Sequence, residues 1–201
     1  TLHVRWTQRA SNFSGRDVFV FFSGSNNSCS RRKLIQTQRE IFRKELAQAM
    51  EKTIRSPARS HRDYHLIFPF DFRLSQESWS EIAFRSQICL VVDGDTPNTP
   101  RLAEVIMHGC VPLIISDRLQ PPFHDLIDWQ KIAFFLRESS IDDLPSILQE
   151  LQSPPGKRLV QAKHRFLAKA AYFFDFNDAG LGSMVLYALM RASDNFRTSA
   201  E

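Results

Sequence analysis

Cysteine is scarce in this 201-residue chain. The three present, Cys29, Cys89 and Cys110, are too few for a disulfide-dense scaffold, and no C-x-x-C pair marks a zinc or redox motif. Glycine is thin as well, seven residues in all. None falls in a G-x-G-x-x-G fingerprint or a G-x-x-x-x-G-K-[ST] loop, which removes the obvious dinucleotide dehydrogenase and P-loop NTPase signatures. No run approaches the roughly 18 uninterrupted apolar residues of a bilayer-crossing helix. Internal repeats and low-complexity stretches are missing too. What is present is ordinary for a globular chain: 43% hydrophobic and 24% charged residues, which excludes collagen-like and fully disordered polypeptides. This length buries on the order of 70% of the unfolded surface in a single sizeable core. The chain opens at Thr1 without a charged-then-apolar leader, so the expectation is a piece of something longer.

The net charge of +4 hides an asymmetry. Residues 1–62 carry 13 Lys/Arg against 4 Asp/Glu, a net of +9, and the remainder a net of −5. This invites a polyanionic partner, whether nucleic acid, a phosphate-bearing small molecule or an acidic glycan. A solvated basic helix face accounts for it equally simply, because many of these charges recur at helical spacing.

Hydrophobic periodicity predicts alternating strands and helices. Asp17–Phe22 (DVFVFF) reads as a buried strand stopped by the polar Ser23–Asn27. Leu34, Ile35, Ile41, Phe42, Leu46, Ala49, Met50 and Ile54 form one stripe of a long helix over about 31–55, with Pro57 beyond its end. Further strands are predicted at Tyr64–Phe68, Ile88–Val92, Val111–Ile115 and Ile132–Leu136. Helices are predicted from Ser75, over Arg101–His108, from a Ser140 cap, over Pro155–Phe174 and over Asp178–Ser193. Gly109 suits a left-handed position after the Arg101 helix. The alternation implies an α/β fold, a Rossmann-like parallel sheet with helices on both faces.

In such a sheet ligands bind beyond the carboxyl ends of the strands. Two polar loops qualify, Ser23–Ser30 and Asp93–Pro100, and each leads to arginine at or near a helix start. Glu104 follows Arg101 by three residues on about the same helix face. Arginine suits a diphosphate and a carboxylate suits ribose hydroxyls, but a local surface ion pair fits the spacing too. Asp93-Gly94-Asp95 spells D-x-D, a divalent-metal motif in some glycosyltransferases; shaping the loop is the alternative role. His61 and His65 do not share a helical face, so two surface or half-buried histidines is the better reading than a metal pair. Trp129 and Tyr172 suit either stacking on a base or sugar or core packing. Cys89 and Cys110 fall near matching ends of sequential strands, where a disulfide and two buried thiols both remain open.

The segment 86–117 closely resembles the exostosin-like glycosyltransferases of family GT47. Cys89-Leu90, Gly94-Asp95-Thr96-Pro97, Arg101-Leu102, Glu104, Ile106 and Gly109-Cys110-Val111-Pro112 stand in register with the family signature. The likeness continues through Ile115-Ser116-Asp117, Pro122-Phe123, Ile127-Asp128-Trp129 and Ile147-Leu148, so it is dense over about 86–150. Phe19–Gly24 with Arg31-Arg32-Lys33-Leu34 resembles the family more weakly. Ile88 and Val92 depart from the family's Phe and Pro, and Pro100 sits directly before Arg101.

The resemblance implies the carboxyl-terminal half of a GT-B fold, with residues 1–201 as one donor-binding domain ending in helices. It implies an inverting transfer of a sugar from a UDP-sugar to a glycan or glycoprotein acceptor. The acceptor domain is expected upstream of Thr1, and the setting is the Golgi lumen as part of a type II membrane protein. A non-catalytic nucleotide-sugar-binding partner subunit, or a degenerate fragment, is the alternative. The donor-binding residues implied are Ser23, Gly24, Arg31, Arg32, Gly94, Asp95, Thr96, Asn98, Thr99, Arg101 and Glu104. No metal or other cofactor is expected, no nucleic acid partner, and no catalytic base is assigned.

Overall fold

The computed structural model describes residues 11–24, 32–34, 36, 76–92, 99–174 and 182–189, together with the backbone of 64–67. Five parallel strands form one sheet: β1 (Val18–Ser23), β2 (Tyr64–Ile67), β3 (Ser86–Val92), β4 (Val111–Ile115) and β5 (Phe134–Leu136). Their spatial order is β2-β1-β3-β4-β5. The register pairs Val20 with Tyr64 and with Ile88, Cys89 with Pro112, and Leu113 with Phe134. Val18–Phe22 of β1 and all five residues of β4 are buried. Successive side chains of a strand point to opposite faces, so unbroken burial means that both faces are covered. This is the physical content of the near-continuous apolar runs in the sequence.

Helix α1 (Gln76–Arg85) runs straight into β3, and α2 (Arg101–Met107) joins β3 to β4. The turn between α1 and β3 is tied from outside by Arg16. Although arginine, it is only 4% exposed. Its Nη1 donates to the carbonyls of Ala83 and Ser86 at 3.2 and 2.6 Å, and its Nη2 to that of His108 at 2.7 Å. Next to it Asp17 takes two hydrogen bonds from Arg85, so the residue expected to open β1 instead anchors the end of α1. Gly109 stands at φ 67°, as expected after α2.

The predicted strand Ile132–Leu136 is corrected. Its first residue closes a helical turn, α3 (Trp129–Ile132), Ala133 is already extended, and the paired strand is Phe134–Leu136. Trp129 donates its indole N–H to Pro122 O at 3.1 Å, and Lys131 pairs with Asp128 at 3.0 Å. Lys163 donates to the carbonyl ends of this turn, Gln130 and Ala133, the latter at 2.9 Å. The Ser140 cap is also corrected. Ser140 lies inside a 3-10 helix, Glu138–Asp143, and α4 (Leu144–Gln152) begins only after it, with no side-chain cap bond. Asp142 turns instead to Lys33 at 2.9 Å. Helix α5 (Pro154–Ala170) is capped by Ser153, whose hydroxyl accepts from Gly156 N, and a 3-10 turn, Ala171–Phe174, closes it. Of the long helix predicted over 31–55, residues 32–34 and 36 are helical and the rest lies outside the described residues, as does His61. Residues 182–189 are helical, within the predicted span.

Cys89 and Cys110 form a disulfide, with Cα atoms 5.7 Å apart. It joins the middle of β3 to the residue that precedes β4, and both half-cystines are buried.

Candidate functional site

The strand order creates the site. From β1 the chain departs toward β2 on one side, and from β3 toward β4 on the other. The two connections diverge, and a crevice opens between the carboxyl ends of β1 and β3, the switch point of this strand order. A cleft of about 180 Å³ lies there, lined by Phe22 and Ser23 from β1, Gly24 just after it, Val92 from β3, and Thr99, Pro100, Arg101 and Glu104.

One wall is the start of α2. Pro100 occupies the position before the helix with φ −61°, which a proline ring adopts without strain, so its place before Arg101 is accommodated. Thr99 folds over this turn: its Oγ1 accepts from Arg101 N at 3.3 Å and its carbonyl from Leu102 N at 3.3 Å. Two N–H groups of the first turn therefore already have partners. The Thr99 hydroxyl, accepting one bond, keeps its own O–H free to donate.

Among the described residues Arg101 is the cation of the cleft. Its Nη1 meets a Glu104 carboxylate oxygen at 2.8 Å, so the local ion pair inferred from spacing is present, and it lies in the cleft wall. The guanidinium carbon stands 4.5 Å from the centroid of the Trp79 ring. Burial pushes the guanidinium's pKa down, and the nearby Glu104 charge counteracts this in part. Trp79, 8% exposed, is held from behind. The ring of Phe21 lies 5.9 Å away and that of His108 meets it edge-on at 5.0 Å. His108 is fixed in turn by its Nδ1, 2.7 Å from the carbonyl oxygen of Glu104, to which it donates. Arginine, carboxylate, indole and imidazole thus form one connected body on α1 and α2.

Among the residues predicted for the site, Ser23, Gly24, Thr99, Arg101 and Glu104 come together around the cleft. Arg32 is exposed and is not among the lining residues. Arg31, Gly94, Asp95, Thr96 and Asn98 lie outside the described residues, and with them the D-x-D motif. Among the described residues, no group of three or more His, Cys, Asp or Glu side chains is arranged to hold a metal ion. Trp129 is a core residue, 5% exposed, with its ring edge-on to Phe174 at 5.9 Å. Tyr172 is exposed beside Phe173 and apart from the cleft. Trp79 carries no site signal in the sequence. Its spacing on α1 reads as core, and only the fold brings it beneath Arg101, 22 positions away in the chain.

The Exostosin GT47 domain model matches residues 2–151. The chain belongs to this family. Among curated GT47 relatives, a probable glucuronosyltransferase of Oryza sativa subsp. japonica is 38% identical over 84 residues, 42% of this chain and 19% of the relative. A probable beta-1,4-xylosyltransferase of Arabidopsis thaliana is 36% identical over the same shares. A probable arabinosyltransferase of Arabidopsis thaliana is 33% identical over 88 residues, 44% of this chain and 20% of the relative. The matched stretch is thus about a fifth of these relatives' length. The activities in their names differ in the sugar and agree in being glycosyl transfers.

Proposed function

We propose that this GT47 chain is the donor-binding domain of an inverting glycosyltransferase, and that its cleft binds the UDP part of a UDP-sugar. The observation that carries the reading is the cleft itself. Among the described residues, the cation Arg101 and the carboxylate Glu104 line a crevice at the strand switch point of a Rossmann-like sheet, next to Ser23 and Gly24. A nucleoside diphosphate needs both kinds of partner. The guanidinium meets the diphosphate in a bidentate manner, and the carboxylate accepts from ribose hydroxyls. The relatives' names add glycosyl transfer as the reaction class.

In the reaction, an acceptor hydroxyl oxygen bonds to the anomeric carbon as the bond from that carbon to the β-phosphate oxygen breaks. The hydroxyl proton passes to a general base, and the electron pair departs with UDP. Arg101 stabilises the charge that grows on the diphosphate, beside the apolar side chains of Phe22 and Val92. Glu104 orients the ribose. The acceptor, a glycan or glycoprotein, occupies a domain other than this one. By itself the 201-residue chain therefore binds UDP weakly and transfers no sugar. The Golgi lumen is the proposed setting, which the Cys89–Cys110 disulfide favours, because such bonds persist in oxidising compartments.

Titration calorimetry with UDP and with uridine tests the reading. Arg101→Ala should weaken UDP by roughly 10- to 150-fold, the worth of a charged hydrogen bond of about 1.5–3 kcal/mol, and uridine far less. Glu104→Gln should weaken both ligands by similar factors. Binding should persist in EDTA and ignore a competing oligonucleotide. A strict requirement for Mn²⁺ or Mg²⁺, lost on Asp95→Asn, would hand the diphosphate to the D-x-D motif instead.

A further inference from the structure

Among the described residues Arg101 meets Glu104 and Trp79, and the proposed nucleotide reading uses only Glu104. The second is the face of Trp79, 4.5 Å from the guanidinium carbon. The two contacts differ in what they leave over. An ion pair occupies in-plane N–H groups, whereas stacking on a ring occupies the flat face and leaves the edge donors directed outward. Trp79 is itself immobilised between Phe21 and His108, and it is nine-tenths buried. A fixed platform of this kind holds a long, otherwise rotatable side chain in one place before any ligand arrives.

The choice of residue is informative as well. The indole nitrogen of Trp79 is buried and finds no hydrogen-bond acceptor among the described residues. Phenylalanine would keep an aromatic ring beside Phe21 and His108 without burying that N–H. Tryptophan, however, presents the most electron-rich face to a cation. The position thus retains a buried polar atom together with the ring best suited to hold Arg101.

We propose that Trp79 is a positioning residue: its indole face pins the Arg101 guanidinium against the cleft wall, so that the edge N–H groups meet a nucleoside diphosphate without reorganisation. This rests on the cleft being a nucleotide site and adds to it the residue that sets the arginine's geometry. Trp79 touches no ligand. Its whole influence passes through Arg101, so it should be felt by phosphates and not by the nucleoside.

The test uses UDP and uridine as probes and reads the ratio of their dissociation constants in the 201-residue chain. Trp79→Leu should weaken UDP by about 3- to 30-fold and uridine by less than about twofold. Trp79→Phe should recover a large part of the loss. In an Arg101→Ala background, Trp79→Leu should change neither ligand further, since the path through Arg101 is already cut. Should Trp79→Leu fail to fold, 5-fluorotryptophan incorporated throughout the chain withdraws charge from the ring face and keeps its shape. That protein should lose UDP affinity and not uridine affinity, and a Trp79→Phe protein labelled in the same way should show no such change.

A UDP-to-uridine ratio that stays at the wild-type value in Trp79→Leu, or on fluorination, overturns the positioning role while the nucleotide site stands. So does an equal loss of both ligands that persists without Arg101, which marks Trp79 as a packing residue. If the unaltered chain binds neither UDP nor uridine, the nucleotide reading falls, and this inference falls with it.

Discussion

A buried arginine with three carbonyl partners is costly to lose, and Arg16 is such a residue. It collects the carbonyls of Ala83, Ser86 and His108, the exits of α1 and α2, which helix geometry leaves without intrahelical donors. Removing the guanidinium strands several buried acceptors at once. Arg16→Met should destabilise the fold by about 3 kcal/mol, read as a lower urea midpoint with an unchanged slope. Arg16→Lys should recover little, because one ammonium cannot span acceptors arranged for a planar fork. None of this was legible in the sequence, where Arg16 is one of many basic residues in the first third of the chain. Arg101 and Glu104 were legible because a loop, a helix start and a spacing of three all converge on them. Trp79 was not, since its relation to Arg101 exists only after α1 and α2 pack side by side.

At the scale of elements, the readable parts were those buried from both faces. Within DVFVFF the run VFVFF, together with ICLVV and VPLII, is apolar at consecutive positions because sheet neighbours and helices enclose it, and these runs form β1, β3 and β4 with shifts of a residue or two. IAFFL shows the same run and misleads. Its first residue is held in a helical turn by Lys163, which reaches back from α5 to carbonyls some 30 residues earlier. Apolar content cannot announce a partner that distant. The packing of α4 against α5 has a comparable hidden constraint. A Cβ placed on Gly156 would stand 2.3 Å from the Glu150 carbonyl oxygen and 2.5 Å from Leu151 Cα. Both are backbone atoms of α4 and cannot swing aside. Gly156→Ala should therefore force the helices apart at a cost of about 1–3 kcal/mol. Thermal denaturation should register it as a clear drop in Tm, whereas Gly182→Ala, with nothing within 4 Å, should not.

For the molecule as a whole, the order β2-β1-β3-β4-β5 decides where a ligand can sit, and the same order makes β3 and β4 neighbours that a disulfide can join. Spanning 21 positions, the Cys89–Cys110 bond should add about 3 kcal/mol through chain entropy alone. Replacing both cysteines with serine should lower Tm accordingly and weaken UDP binding, because Thr99, Arg101 and Glu104 all belong to the bridged segment; unchanged UDP affinity would show that packing alone keeps them in place. The bridge also makes this part of the chain a covalent ring. A protease that cuts once after Arg101 opens the peptide backbone of the ring, yet the two products stay bonded through sulfur. On a non-reducing gel such a nicked protein runs as one species and on a reducing gel as two, so loss of ligand binding and physical separation of the fragments become distinct events.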